Sequence, residues 1–259
     1  MATTMTATST QVRLRDHRFF FWLAVAMTVV IVAGFSMQLA MGRSSFAVPV
    51  RLHIHAAVFF GWTALYLMQN WLVASGSVAL HRRIGWLGAG WAVAVVVLGI
   101  YMTVMMVRRG GAPFFFVPSY FLFMNSLSVL CFGGLVAAAI RLRRQTAWHN
   151  RLMACAMAGL TGPAWGRLLP APFMIPWVGW GVFAAVMLFP IAGVVADLRT
   201  RGRVHPGWWW GIAALTVTQV AMDVAATSAP GLALYRAAVA GTPGEAVAPL
   251  SYPPFPPLS

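Results

Sequence analysis

The sequence predicts an all-α fold: a polytopic membrane helical bundle of about seven transmembrane helices. Three observations predict it. Of 259 residues, 60% are hydrophobic and only 8% are charged, where a soluble domain carries roughly 25% charged residues. Apolar runs of about 20 residues, the length that crosses a hydrocarbon core, recur along the chain. The 18 basic residues are all arginine, and most lie in the short stretches between those runs. The net charge of +14 therefore reads as a topology signal and as contact with lipid headgroups. No basic patch interleaved with aromatics points to nucleic acid.

Taken in order, residues 1–18 form a cytoplasmic N-terminal segment. Span 1 runs from about Phe19 to Ala40. Its apolar run is longer than the roughly 7–15 residues of a signal-peptide core, so a retained anchor is expected. Span 2 covers about Leu52 to Ala74, span 3 about Ile84 to Val107, and span 4 about Phe114 to Ile140. Span 5, about Arg151 to Leu169, is the weakest because Gly162-Pro163 interrupts it. Span 6 covers about Phe173 to Ala196, and span 7 about Trp208 to Thr227. Residues 19–227 thus make the transmembrane domain. Residues 228–259, ending in Tyr252-Pro253-Pro254-Phe255-Pro256-Pro257, read as a proline-rich, extended extracytoplasmic tail. Trp208-Trp209-Trp210 reads as an interfacial aromatic anchor. Cys131 and Cys155 fall inside spans and outside any CxxC pattern, which makes them small buried hydrophobes.

Arginine placement orients the bundle. With the N-terminus cytoplasmic, Arg13, Arg15, Arg18, Arg82, Arg83, Arg141, Arg143, Arg144, Arg151, Arg199, Arg201 and Arg203 lie inside. Arg43, Arg51, Arg108, Arg109, Arg167 and Arg236 lie outside. The positive-inside rule favours that arrangement, with the C-terminus outside. Short connections make spans 2 to 5 antiparallel neighbours in a four-helix bundle.

His81 and His149 open spans 3 and 5, which run in the same direction, so the two lie at one depth. In the bundle those spans are diagonal. Neighbouring axes about 8–10 Å apart give a diagonal of roughly 12–14 Å, room for a haem between two axial imidazoles. Arg82, Arg83 and Arg151 lie beside the pair and suit haem propionates. Gln69, at the same depth on span 2, is placed to orient an imidazole through its other nitrogen. At the outer face, His53 and His55 sit two residues apart and point to different sides of their helix, with His55 the inward one and a weaker metal ligand. His55 and Asn125 could form a polar pocket for a quinone or small substrate; Asp223 is the carboxylate clearly within a span, and Arg167 could pair with it or with a lipid phosphate. Asp197 and Arg199 read as a solvated pair at a helix end. With four acidic residues in the chain, paired-carboxylate hydrolysis, di-iron chemistry and Mg²⁺-diphosphate chemistry are excluded. No phosphate-binding loop, nucleophile elbow or HExxH motif is present.

The succession Leu52-His53-Ile54-His55-Ala56, Gln69, Leu80-His81-Arg82-Arg83-Ile84-Gly85, His149-Asn150-Arg151-Leu152-Met153 and Gly166-Arg167 resembles a group of uncharacterised bacterial multi-pass membrane proteins. The resemblance covers about residues 50–170. More loosely, histidines at bundle ends look like those of transmembrane b-type haem cytochromes. That likeness implies haem b and electron transfer to a quinone or other redox partner. Such cytochromes carry a second histidine pair on spans 2 and 4, and span 4 here has no histidine, which confines the implied haem to the inner face. The leading expectation is a bis-histidine haem protein. The alternatives are a non-enzymatic transporter or assembly factor, with His55, Asn125, Arg167 and Asp223 lining a polar path, and a metal-binding accessory protein using the outer histidines.

Overall fold

A computed structural model describes residues 2–255, with side chains from Arg15 onward. Arg13 and the end of the proline-rich run, Pro256-Pro257, lie outside the described side chains. Among the described residues there are nine helices and no strand. They are α1 (Ala2–Ala40), α2 (Val50–Ala74), α3 (Val78–Arg108), α4 (Pro118–Arg141), α5 (Thr146–Leu160), α6 (Gly162–Leu168), α7 (Val178–Arg201), α8 (Pro206–Thr227) and α9 (Ala229–Val239). Two 3-10 turns, Ala171–Met174 and Pro243–Ala246, join or follow them.

Four helical stretches are long and apolar enough to cross a bilayer: Arg15–Ala40, Val78–Arg108, Pro118–Arg141 and Val178–Arg201. The shortest has 24 residues, ~36 Å at 1.5 Å per residue against a hydrocarbon core of about 30 Å. By length and composition this is an integral membrane protein. The bent pair α8–α9, with 74° between its arms, makes a fifth if counted as one span. The expected segment 1–18 is not separate: α1 continues unbroken from Ala2 into span 1.

Expected spans 2, 5 and 7 fall short of the same measure taken singly, span 7 passing only together with α9; spans 2 and 5 do so for a physical reason. α2 carries His53, His55, Gln69 and Asn70, which lower its hydropathy. α5 has only 15 residues, and a break at Thr161 separates it from α6. Yet α5 holds the centre of the molecule. Its packing partners are α4, α8, α7 and α1, and Ala154 to Ala158 are almost wholly enclosed. A helix solvated by protein needs neither the length nor the uniform apolarity of one that faces lipid. The order α2–α3–α4–α5 runs through neighbouring helices as expected, but α1 packs against both α2 and α5 and so joins the bundle's wall.

Close helix approaches rest on small residues. At Gly34 on α1 a Cβ would meet the Ala164 carbonyl oxygen of α6 at 2.7 Å. On α7, Gly193 gives room to the Trp208 ring of α8. Trp208 is therefore not part of an interfacial anchor. It is enclosed and stacks on Phe20 at 6.0 Å, while Trp209 and Trp210 remain exposed.

The tail is also not extended along its length. Ser228 caps α9, its hydroxyl accepting from Gly231 N–H at 3.3 Å, and Pro230 stands in the first turn, where a missing N–H costs nothing. α9 then packs on α8, α3 and α4. Tyr235 and Val239 join Val107, Phe116, Phe121, Leu122 and Val178 in a second small core. Arg108 donates to the Ala238 carbonyl at 3.2 Å, and Ser119 N–H to the Pro249 carbonyl at 3.0 Å. The C-terminal segment is thus a cover over the end of the bundle where α3 finishes and α4 begins.

Candidate functional site

At the arginine-rich end, α3 and α5 begin side by side in depth. His81 lies one turn into α3, its N–H donating to the Ser77 carbonyl at 3.1 Å. His149 lies in the first turn of α5, its N–H donating to Gln145 O at 3.1 Å. Both rings are half-buried. Their centres are 6.3 Å apart, with planes at 81°.

The surroundings set the protonation pattern of His149. The last carbonyls of a helix have no partner within it. One of these at the end of α4, Ala139 O, lies 2.9 Å from His149 Nδ1. A carbonyl only accepts, so Nδ1 carries the proton and Nε2 keeps its lone pair. His81 is held from α2. With its nitrogen turned toward His81, the Gln69 amide donates to His81 Nδ1 at 2.5 Å and to the His81 carbonyl at 3.2 Å, and its oxygen accepts from Gly85 N–H at 3.1 Å. In that state His81 presents an Nε2–H. Rotating the amide by half a turn would let its oxygen accept from Nδ1–H and leave the His81 Nε2 lone pair free, but it would set that oxygen against the His81 carbonyl and the amide nitrogen against Gly85 N–H. Both Nδ1 atoms are engaged by other helices, so the Nε2 atoms are the free ring nitrogens. His81 and His149 are the residues that would hold a group between them, their ring centres 6.3 Å apart.

The arginines divide. Arg82 and Arg83 are exposed beside His81. Arg151, expected beside a propionate, is instead enclosed and committed to Asp197. Its Nε donates to Asp197 Oδ2 at 2.9 Å, a second nitrogen bonds Oδ1, and a third donates to Ala147 O at 3.0 Å. Its guanidinium lies over the Phe20 and Trp208 rings. Asp197 likewise is not a solvated partner of Arg199. It is buried, receives Arg201 at 2.5 Å and accepts from His205 N–H at 3.1 Å. Arg201 also pairs with Asp16. This node ties α1, α5, α7 and the start of α8 together. Sequence reading missed it because Arg151 and Asp197 are 46 residues apart and each lies at a span end.

At the opposite end, the four residues of the expected polar path do not assemble. His53 is exposed, and His55 packs its ring on Phe59 at 4.3 Å with Nδ1 buried and without a partner among the described residues. Arg167 lies near His55 but sets its guanidinium 4.2 Å over the Phe35 ring and donates to Pro163 O at 2.7 Å. Asn125 turns back to its own helix, donating to Phe121 O at 3.0 Å. Asp223 faces a separate cavity of about 310 Å³ that none of the other three lines. Arg167 therefore stacks on an aromatic ring rather than pairing with Asp223.

Compared with known protein families, with curated proteins and with solved structures, the chain matches none.

Proposed function

We propose that this integral membrane protein is a b-type haem protein in which His81 and His149 take the two axial positions of one iron. The observation that carries this reading is the 6.3 Å between the two imidazole centres, with His149 Nδ1 engaged by the Ala139 carbonyl so that its Nε2 lone pair is free. Ligand number supports it. Among the described residues no group of three or more His, Cys, Asp or Glu could hold a metal. A zinc ion bound by this pair alone would lack protein ligands, since structural sites use about four and catalytic sites about three. A porphyrin supplies four nitrogens itself and asks the protein for two.

The chain's own groups divide the work. The Ala139 carbonyl fixes the His149 ring with its Nε2 lone pair outward. Gln69 holds the His81 ring from α2; ligation through His81 Nε2 would require that amide to turn and accept from Nδ1–H, giving up its bonds to the His81 carbonyl and to Gly85 N–H. Arg82 and Arg83, exposed at the start of α3, are the guanidinium partners for propionates, and Arg151 is not. Bound haem would supply one-electron chemistry. A quinone or another redox partner at that membrane face would exchange the electron. The same reading takes α2, the α5–α6 pair and α8 as spans beside the four longer ones, which gives seven. It takes the arginine-rich end as cytoplasmic, on the count of arginines at the two ends.

The test is a visible spectrum. Protein purified from haem-replete cells, oxidised and then reduced with dithionite, is expected to show a Soret band that both His81→Ala and His149→Ala abolish without loss of helical signal. A colourless, folded wild-type protein overturns the proposal.

A further inference from the structure

The cavity at the other end of the bundle is independent of the histidine pair. It lies between the start of α4, the start of α7 and the last turns of α8, and Tyr252 of the C-terminal cover closes one side. Its walls are aromatic: Phe115, Phe116, Tyr120, Trp180 and Tyr252. Phe116 and Tyr120 stack at 5.7 Å. Tyr120 is held by Gln219, whose amide donates to its hydroxyl oxygen at 2.9 Å. Gly179 is what admits that hydroxyl, because any side chain at 179 would occupy its place.

Asp223 is the one charged residue in the lining. The Trp180 indole and the Gln219 amide approach its carboxylate. Neither is a cation, and no ion pair to Asp223 occurs among the described residues. The other three acidic residues of the chain all have structural partners. Asp16 pairs with Arg201, Asp197 with Arg151 and Arg201, and Glu245 accepts from Gly241 N–H at 2.8 Å. In a protein with 18 arginines, a carboxylate half-buried among aromatic rings and left without a guanidinium is an open negative site. Aromatic faces attract cations through the ring quadrupole, most strongly when the cation is desolvated. A volume of about 310 Å³ is at the lower end of the 300–1,000 Å³ typical of small-ligand pockets.

We propose that this cavity binds a small organic cation, an ammonium group bearing methyl or short alkyl substituents, with Asp223 as counter-charge and Trp180, Tyr120 and Tyr252 as the aromatic wall. A free solute and the headgroup of an aminophospholipid both carry that chemistry. Isothermal titration of tetramethylammonium chloride into the full chain in a neutral detergent tests the proposal, with sodium chloride at equal concentration as the blank. Saturable one-site binding is expected, weakened about tenfold or more in Asp223→Asn, the loss of one ion pair and its cation–π support. Trp180→Leu provides a second, charge-neutral variant expected to weaken binding as well, and a thermal melt confirms that each variant is folded. Displacement of the probe by phosphatidylethanolamine, but not by phosphatidylglycerol, identifies a lipid headgroup as the occupant. Displacement by neither identifies a free solute. Absence of saturable binding to folded wild-type protein, or unchanged binding by folded Asp223→Asn, overturns the proposal.

Discussion

Arg151 has 2% of its side chain exposed, and Asp197 has 4%. A charge so enclosed persists only with a partner, and removing one member of a buried pair typically costs about 3–5 kcal/mol. Asp197→Ala is therefore expected to destabilise the protein by about that amount, read from thermal unfolding in detergent. Arg151→Met combined with Asp197→Leu should recover most of it, because an apolar pair leaves no orphaned charge. His205, outside the membrane spans, adds a pH dependence. Its Nδ1 accepts from Gly207 N–H at 3.0 Å and so caps α8 as a neutral ring. Partial burial, and then the Arg151 guanidinium nearby, hold its pKa below the usual value of 6.5. As pH falls past about 6.5 the unfolded chain takes up the proton first, so stability is full above that pH and declines below it, until the folded ring protonates too. Melting temperature should fall between pH 7 and 5.5, and should fall less in His205→Asn, which keeps a capping side chain without a titrating one. At this scale the sequence was legible where position alone sufficed. Two histidines in the first turns of parallel helices announced themselves. The Arg151–Asp197 pair did not, because an arginine at a span end already has an explanation in topology.

Among the elements, the helices that face lipid were readable, since lipid imposes length and apolarity on them. Spans 1, 3, 4 and 6 correspond to helices that pass that measure. α2 was harder because its polar residues lower its hydropathy, and α5 because protein wraps it, which the chain does not record. The C-terminal helix was missed for a local reason: Pro230 was weighed as a breaker, though in the first turn behind a capping serine it is a helix-starting residue. Helix contacts carry their own prediction. Gly34 meets the backbone of Ala164, which has no flexible side chain to move aside. Gly34→Leu should push α1 from α6 and cost about 1–3 kcal/mol, the usual penalty of overpacking. A melting temperature equal to that of wild type would show that the two helices separate freely.

For the whole molecule, the two ends are chemically distinct. One gathers the histidine pair and the ionic node, and the other an aromatic cavity under a folded cover. α4 links them, with Tyr120 in the cavity wall and the Ala139 carbonyl on His149, while α5, whose first turn carries His149, is wrapped by α1, α4, α7 and α8. That enclosure has a consequence for biosynthesis. Chains are made from the N-terminus, and Asp197 follows Arg151 by 46 residues. When α5 emerges from the ribosome, the carboxylate that will neutralise its arginine does not yet exist, and neither do two of the helices that will shield it. The middle of the protein is therefore completed only once α7 and α8 have been translated, and a truncation before α7 would leave the central helix with a bare charge and only α1 and α4 to dock on.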